Sequence, residues 1–131
     1  MDEPPLTSRV EVRPDGTLAV AFVGKGGVGS AGNQHGRQMS TTLAQALAEH
    51  RPSRLLIDLR GLDYQFGDWI ASPIIGAASK VGRGRVCVIA EGECWKSLFN
   101  LWTFGRLNQL VPLVQSIEEA LALLHSKAPA K

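Results

Sequence analysis

This sequence of 131 residues has few cysteines, no long apolar run and no large excess of charge of either sign. The two cysteines, Cys87 in the apolar run VCVIA and Cys94 beside Trp95, are too few for a disulfide framework and are predicted to be reduced and buried or nearly so. The apolar runs are too short to cross a membrane. Fourteen basic and twelve acidic residues give a net charge of +2, too balanced to indicate nucleic-acid binding.

The chain also lacks the residue patterns of secretion and of catalysis. The first residues, MDEPPLTS, contain no apolar signal segment, so we expect a cytoplasmic protein without membrane insertion. His35, His50 and His125 share no spacing with the cysteines or carboxylates that would suggest a metal site. No nucleophile and base can be paired. We therefore predict a non-enzymatic protein with no catalytic residues, no cofactor and no metal; His35, in a predicted loop, is the only histidine considered for function.

The composition that remains is that of a globular domain. Apolar residues make up 44% and charged residues 20% of the chain, and this length is typical of one domain. We predict a single domain over 1–131. Residues 1–7, with two prolines, form a loose N-terminal arm, and residues 126–131 form a fraying tail.

Alternating polar and apolar residues predict a hairpin near the start of the chain. Val10 and Val12 alternate with polar residues on one side of the turn signal PDG (14–16). Apolar residues alternate again on the other side. The second strand contains Leu18, Val20 and Phe22.

Continuous apolar runs predict three further strands. LLIDL (55–59) is interrupted only by Asp58 and is typical of a strand covered on both faces. The others are VCVIA (86–90) and LVPLV (110–114), and Pro112 places the last at an edge or end of the sheet.

Apolar residues at helical spacing predict helices between and after these strands. The first covers 37–50, because the glycines before it argue against an earlier start. The second has Asp68 or Ser72 as its N-cap, with Pro73 near the first turn or two, and the last opens with the capping box SIEE (116–119). The apolar faces of the four predicted helices, in chain order, are Met39, Leu43, Ala46, Leu47 and His50 in the first; Ile70, Ile74, Ala77, Ala78 and Val81 in the second; Trp95, Leu98, Phe99 and Trp102 in the third; and Ile117, Ala120, Leu121 and Leu124 in the last.

The order ββαβαβαβα, with four to five helices, predicts an α/β fold. A hairpin followed by alternating strands and helices implies a mixed β-sheet whose later strands are joined by right-handed crossovers.

The glycine-rich stretch VGKGGVGSAGNQHG (23–36) raises the question of a phosphate-binding loop. Gly24 and Gly29 have the spacing of the motif G-x-x-x-x-G-K-S/T. Ser30 and Ala31 stand where a lysine and a hydroxyl residue would neutralise phosphates and hold magnesium. The predicted helix start near residue 37 is also too late for the helix amides to meet a phosphate. Nucleotide hydrolysis is therefore disfavoured.

Two other functions of this stretch stay open. One is a flexible rim to a protein-binding edge. The other is an anion- or ligand-binding loop that would use Lys25, Gly26, Gly27, Gly29 and Ser30.

From Leu55 onward the sequence resembles a STAS domain, the family of anti-sigma-factor antagonists and of the cytoplasmic domains of sulfate transporters. The resemblance extends over nearly all the chain, is weakest across 1–50, and implies the element order given above. It also implies that Asp58 is structural and bonds nearby backbone amides, although a strand's carboxyl end can border a ligand crevice. The matching segments are Asp58-Leu59-Arg60-Gly61-Leu62, Gly84 with 86–90, Leu98-Phe99, and Ser116 to Leu121.

The sequence departs from the family at its phosphorylation site. Family antagonists carry Asp-Ser before the second helix, and a partner kinase phosphorylates the serine. Phe66 and Gly67 occupy those positions here, so there is no hydroxyl to modify. Asp68 follows them, either as a fixed negative charge at the helix N-terminus or as an ordinary N-cap.

The resemblance implies a regulatory module that binds a protein: an anti-sigma kinase, a signalling scaffold or a transporter ATPase. The glycine loop should emerge beside the 61–69 loop, and the two would form one docking surface. Trp69 is either part of that interface or part of the core. The competing hypothesis is small-ligand or nucleotide binding at 24–36. The predicted partner-binding residues are Tyr64, Phe66, Gly67, Asp68 and Trp69.

Overall fold

The computed structural model describes residues 6–25, 30–63, 70–82, 85–105 and 111–126, with the backbone alone at 30–33, 104, 105 and 126. These residues form six strands and four helices. In chain order they are β1 (Thr7–Val12), β2 (Leu18–Lys25), α1 (Ser30–His50), β3 (Leu55–Asp58), β4 (Leu62–Asp63), α2 (Ala71–Val81), β5 (Val86–Ile89), α3 (Gly92–Gly105), β6 (Leu113–Val114) and α4 (Ile117–Ser126).

The strands form one mixed sheet in the order β1-β2-β3-β5-β6, with β4 paired to the end of β2. β1 is antiparallel to β2, and every later pairing is parallel. The predicted α/β class and mixed sheet are confirmed. β6 lies at the edge, as Pro112 suggested, but its described part is shorter than the predicted 110–114 strand, whose residue 110 lies outside the described ranges.

The predicted hairpin turn is present between β1 and β2. Arg13 donates its N–H to the carbonyl of Thr17 at 2.9 Å, and Gly16 donates to the carbonyl of Arg13 at 2.9 Å. Gly16 has a φ of 89°, which favours glycine. The Asp15 carboxylate accepts the Thr17 N–H at 3.0 Å, a typical Asx turn. The turn fixes the register in which Arg9 lies opposite Ala21.

The larger core lies on one face of the sheet, beneath α1, α2 and α3. Buried side chains of β2, β3 and β5 face it, which confirms the predicted apolar faces of α1 and α2, except that His50 is exposed. In α3, Leu98 and Trp102 are buried, and Trp102 donates its Nε1–H to the Val111 carbonyl at 2.8 Å. Phe99 is 52% exposed, so its predicted place on the buried face is wrong.

A smaller core lies on the other face, where α4 is the single helix that packs among the described residues. Its buried residues include Leu56, between two β3 residues that face the larger core, so β3 is covered on both sides as predicted. Ser116 caps α4 as predicted: its Oγ accepts the Glu119 N–H at 3.1 Å. Cys87 and Cys94 are free and buried, and burial raises the pKa of the Cys87 thiol to about 12.

α1 begins at Ser30, seven residues before the predicted start, so the prediction that glycines delay it was wrong. A helical glycine costs about 1 kcal/mol relative to alanine, but tertiary packing can outweigh that. Here His35 and Gly36 are buried in the helix. The Gln38 side chain bonds both the N–H of Leu6, at 2.9 Å, and its carbonyl. Packing and these bonds stabilise the early part of the helix.

The start of α2 also differs from the prediction. Ile70 is the N-cap and makes no side-chain cap bond, so Asp68 is not the cap; Asp68 itself lies outside the described residues. Ser72 lies inside the helix, and Pro73 is accommodated in its first turn, where a missing N–H costs little. The predicted loop at 61–69 contains β4 at its start.

The predicted arm and tail are partly integrated into the fold. Leu6 is buried and Thr7 begins β1, while residues 1–5 lie outside the described part. Ser126 belongs to α4, and 127–131 lie outside it too. Among the described residues, no helix has both the length and the apolarity needed to cross a bilayer.

Candidate functional site

The carboxyl ends of β2 and β4 lie side by side at one end of the sheet. Gly24 pairs with Leu62, and Lys25 pairs with Asp63. Gly24 donates its N–H to the carbonyl of Gly61 at 3.1 Å. The residues that begin the two predicted loops are therefore neighbours. In α/β proteins this end of a sheet commonly carries the functional site.

Gly61 allows this close approach, and Gly24 beside it is crowded by Leu6. Gly24 has a φ of 136°, and a Cβ there would lie 3.2 Å from the Leu6 side chain. A Cβ on Gly61 would lie 2.9 Å from a methyl carbon of Val23, closer than real Cβ contacts. A side chain at Gly61 would push β4 away from β2, and one at Gly24 would crowd Leu6 in a backbone conformation that favours glycine, so both positions have a structural reason to be glycine.

Asp58, at the end of β3, is held by Arg60. Its Oδ1 accepts the Arg60 backbone N–H and Nε–H, both at 3.0 Å, and its Oδ2 accepts from Nη2 at 2.7 Å. Burial raises the pKa of Asp58, but the bonds from Arg60 outweigh burial and lower it below the usual value. Asp58 is thus ionised and bonded to a neighbouring amide, as the resemblance implied. The structural interpretation fits these contacts better than a catalytic one.

A half-open groove of about 420 Å³ lies beside this pair, on the α4 side of the sheet. Ala21 and Val23 of β2 form its floor, and Arg9, Asp58, Arg60 and Glu91 are among the charged residues that line it. Glu91 and Glu118 add negative charge near Arg60. The groove therefore offers both charge signs over an apolar floor. It contains no nucleophile paired with a base, and the described residues include no cluster of three potential metal ligands.

Sequence reasoning missed Arg9, Arg60 and Glu91 as lining residues. The hairpin turn did carry a signal for Arg9, because it fixes the register that places Arg9 opposite Ala21. Arg60 follows Asp58 by two residues at a strand end, a spacing that allows the observed local bonds. Glu91 follows β5 and lines the groove only because β5 pairs in parallel with β3.

The predicted partner-binding residues follow β4 and precede α2. Their flanking residues are well anchored: Leu62 is 3% and Ile70 0% exposed. α2 begins without a capping side chain and with no acidic residue in its first turn, so no described side chain there offsets the partial positive charge of its N-terminus. The predicted residues, Tyr64, Phe66, Gly67, Asp68 and Trp69, lie outside the described ranges.

The predicted ligand loop is described at its two ends alone. Lys25 is the exposed last residue of β2, and Ser30 is the first residue of α1. Gly26, Gly27 and Gly29 lie outside the described residues. His35, which was predicted to lie in this loop, instead lies within α1 and is 2% exposed.

Comparisons with known proteins give matches among solved structures. No family model matches the sequence. A search of the curated proteins likewise finds no match. An anti-sigma factor antagonist from Mycobacterium paratuberculosis is similar, with 20% identity and a TM-score of 0.72 over 95% of this chain and 99% of its own.

Two structures of the antagonist SpoIIAA are also similar. Its unphosphorylated form has 11% identity and a TM-score of 0.65, covering 94% of this chain and 100% of its own. The phosphorylated form, from Bacillus, has 12% identity and a TM-score of 0.59, covering 88% and 97%. The fold predicted from the resemblance is confirmed.

Proposed function

We propose that this chain, which has the STAS fold, is a non-enzymatic regulatory module that binds a protein partner at the carboxyl end of its sheet. The observation that carries the proposal is the likeness of nearly the whole fold to two anti-sigma factor antagonists. An antagonist of this kind acts on another protein, so binding is the function the likeness favours. The free, buried cysteines agree with the cytoplasmic location that belongs to the same proposal.

The burial of the residues on either side of 64–69 supports this placement. Leu62 and Ile70 are held in the larger core on either side of it. Fixed ends reduce the entropy that the segment can lose on binding. Its sequence contains Tyr64, Phe66 and Trp69, and aromatic residues are common binding hot spots.

Regulation by phosphorylation is not part of the proposed function. Gly67 stands where the family pattern has the phosphorylated serine. A chain with glycine there would bind its partner independently of a kinase reaction at that position. Asp68 would supply a permanent negative charge near the start of α2.

The test is affinity capture from a lysate of the source organism, with bound proteins identified by mass spectrometry. The wild type should enrich an anti-sigma kinase, a signalling scaffold or a transporter ATPase. The double variant Phe66→Ala/Trp69→Ala should lose that protein, because truncating two hot-spot aromatics typically costs well over about 2 kcal/mol of binding. Phe99→Ala, an exposed aromatic of α3, is the matched control and should retain it. Equal recovery by both variants would contradict the placement.

Ligand binding at the glycine loop is the second candidate. The observation that favours it is the early start of α1, since strand, glycine loop and helix now follow one another directly, as in phosphate-binding loops. Against it stand Ser30 in place of the motif lysine and Asp63 beside Lys25. Calorimetric titration with ATP and GTP separates the two candidates. Micromolar binding that Lys25→Ala abolishes would support the ligand site. A titration without heat of binding would contradict it.

A further inference from the structure

β1 is a free edge of the sheet. Among the strands that the structure describes it pairs with β2 alone, and all six of its residues are exposed. The opposite edge, β6, has two residues in its strand and follows a proline. A long unpaired edge strand is a template for adding another strand. β1 contains no proline or lysine, residues that often block such pairing.

The hydrogen-bond pattern shows which groups of β1 are free. Arg13 donates its N–H toward β2, to Thr17. Along an antiparallel strand, alternate residues direct their N–H and C=O to opposite sides. Thr7, Arg9 and Glu11 therefore bond β2, and the N–H and C=O groups of the residues between them point away from the sheet. Those residues are Ser8, Val10 and Val12.

The side chains of β1 divide into two rows. Arg9 and Glu11 lie on the α4 side, opposite Ala21 and Ala19 of β2. Neither forms an ion pair with another described residue of its own chain. Val10 and Val12 lie on the other side and are 41% and 54% exposed. The edge thus combines a free backbone, two exposed valines and one charge of each sign.

We propose that β1 pairs antiparallel with β1 of a second copy of this chain, about a twofold axis through Val10. In this register Val10 faces Val10, and Ser8 faces Val12 at both ends. Each of these pairs can exchange N–H···O bonds, because the groups involved point outward.

Charge selects this register over its neighbours. Centring on Val10 places Arg9 of each copy opposite Glu11 of the other, in positions without backbone bonds, where side chains approach most closely. A shift by one pair in one direction places Arg9 opposite Arg9. A shift in the other direction places Glu11 opposite Glu11 and Arg9 opposite Arg13. Both shifts juxtapose like charges, so the strand is self-complementary in one register.

Sedimentation velocity over the micromolar-to-millimolar range tests this pairing. One strand pair makes a small interface, so the wild type should show a reversible, concentration-dependent dimer. Arg9→Glu alone and Glu11→Arg alone should each be monomeric, because each variant would place two like-charged pairs across its own axis. An equimolar mixture of the two variants should form a heterodimer, because all four charges are then matched. Lys96→Glu, an exposed change of equal charge on α3, should dimerise as the wild type does.

Amide hydrogen exchange supplies a second readout. Dimerisation should slow exchange at Ser8, Val10 and Val12 by several-fold, while Arg9 and Glu11, already bonded to β2, should change little. A monomeric wild type at the highest concentration overturns the proposal. So does dimerisation of Arg9→Glu alone, or a mixture of the two variants that stays monomeric.

Discussion

The two faces of the sheet are covered unequally. Three helices cover one face from β2 to β5, whereas α4 covers β3, β5 and β6 on the other face. Adjacent residues of β2 show the difference: Phe22 is fully buried, and Val23 is 47% exposed. One face therefore supplies most of the hydrophobic stabilisation, and the other keeps open surface beside the sheet's carboxyl end.

A row of paired residues across the open face shows where the cover ends. Each residue of the row pairs with the next one on the neighbouring strand. From β1 to β6 the row is Arg9, Ala21, Asp58, Ile89 and Val114. Ile89 and Val114 are buried under α4. Arg9, Ala21 and Asp58 line the groove. Charged residues thus occur where α4 no longer covers the strands.

The largest expected effect compares truncations at two adjacent residues of β3. Leu55 and Leu56 are both fully buried but face opposite cores. Leu→Ala in a core costs about 2–5 kcal/mol, and more where the cavity cannot collapse. Leu55→Ala should lie near the top of that range, beneath three helices. Leu56→Ala should cost less, because α4 alone can move inward. Urea unfolding at equilibrium measures both.

Volume-conserving changes provide the control for that pair. Leu55→Met and Leu56→Met should each cost less than about 1.5 kcal/mol, which separates the cavity from any effect of changing the residue. Equal costs for the two alanine variants, or a larger cost at Leu56, would show that the smaller core is as rigid as the larger one.

A smaller effect is expected at the uncovered end of β3. Asp58→Ala removes the acceptor of the Arg60 backbone and side-chain bonds and should cost about 1–3 kcal/mol. Asp58→Asn keeps an acceptor oxygen without the charge and should cost less. Unfolding in urea at neutral pH, with Arg60→Met beside them, measures the series. A cost for Asp58→Asn equal to that of Asp58→Ala would mean that the charge, and not the backbone bond, provides the stabilisation.

The sheet was predictable because its signals are local. Alternation in β2, the continuous run in β3 and the turn at 14–16 each determine an element from a few adjacent residues. Capping of α4 by Ser116 was predictable for the same reason. The element order and the rule of right-handed crossovers predicted a mixed sheet, whereas the order of its strands came from the structure.

The predictions failed where contacts between residues far apart in the sequence determine the structure. The helical propensity of Gly36 is poor, but burial in the fold and the bonds of Gln38 to Leu6 support an earlier start of α1. The sequence of α1 alone contains no sign that Leu6 will lie beside it. β4 depends on pairing with the end of β2, where Gly61 permits the approach. Predicting the groove likewise required the register of four strands, β1, β2, β3 and β5.

The smallest expected effect is at the far end of α4, where His125 reaches the hairpin turn. Its Nε2 lies 2.5 Å from Oδ2 of Asp15. The Thr17 backbone N–H, and then His125, lower the pKa of Asp15 from 3.8 to about 2. Because the folded-state pKa is the lower one, this stabilisation is present above about pH 4 and is lost as the pH falls toward 2.

His125→Gln should therefore raise the pKa of Asp15 part of the way toward 3.8, a shift that carboxyl-carbon NMR titration measures directly. The Thr17 bond remains, so the pKa should stay below the ordinary value. The loss of stability at neutral pH should be under about 1 kcal/mol, since the pair is at the surface. Faster amide exchange should be confined to α4, the single described helix on the face of the smaller core. His50→Gln, at the end of α1 and 4.0 Å from Glu49, is the matched control and should leave the Asp15 titration unchanged. An unshifted Asp15 in His125→Gln would mean that the turn alone stabilises the carboxylate and that α4 is held by its apolar contacts.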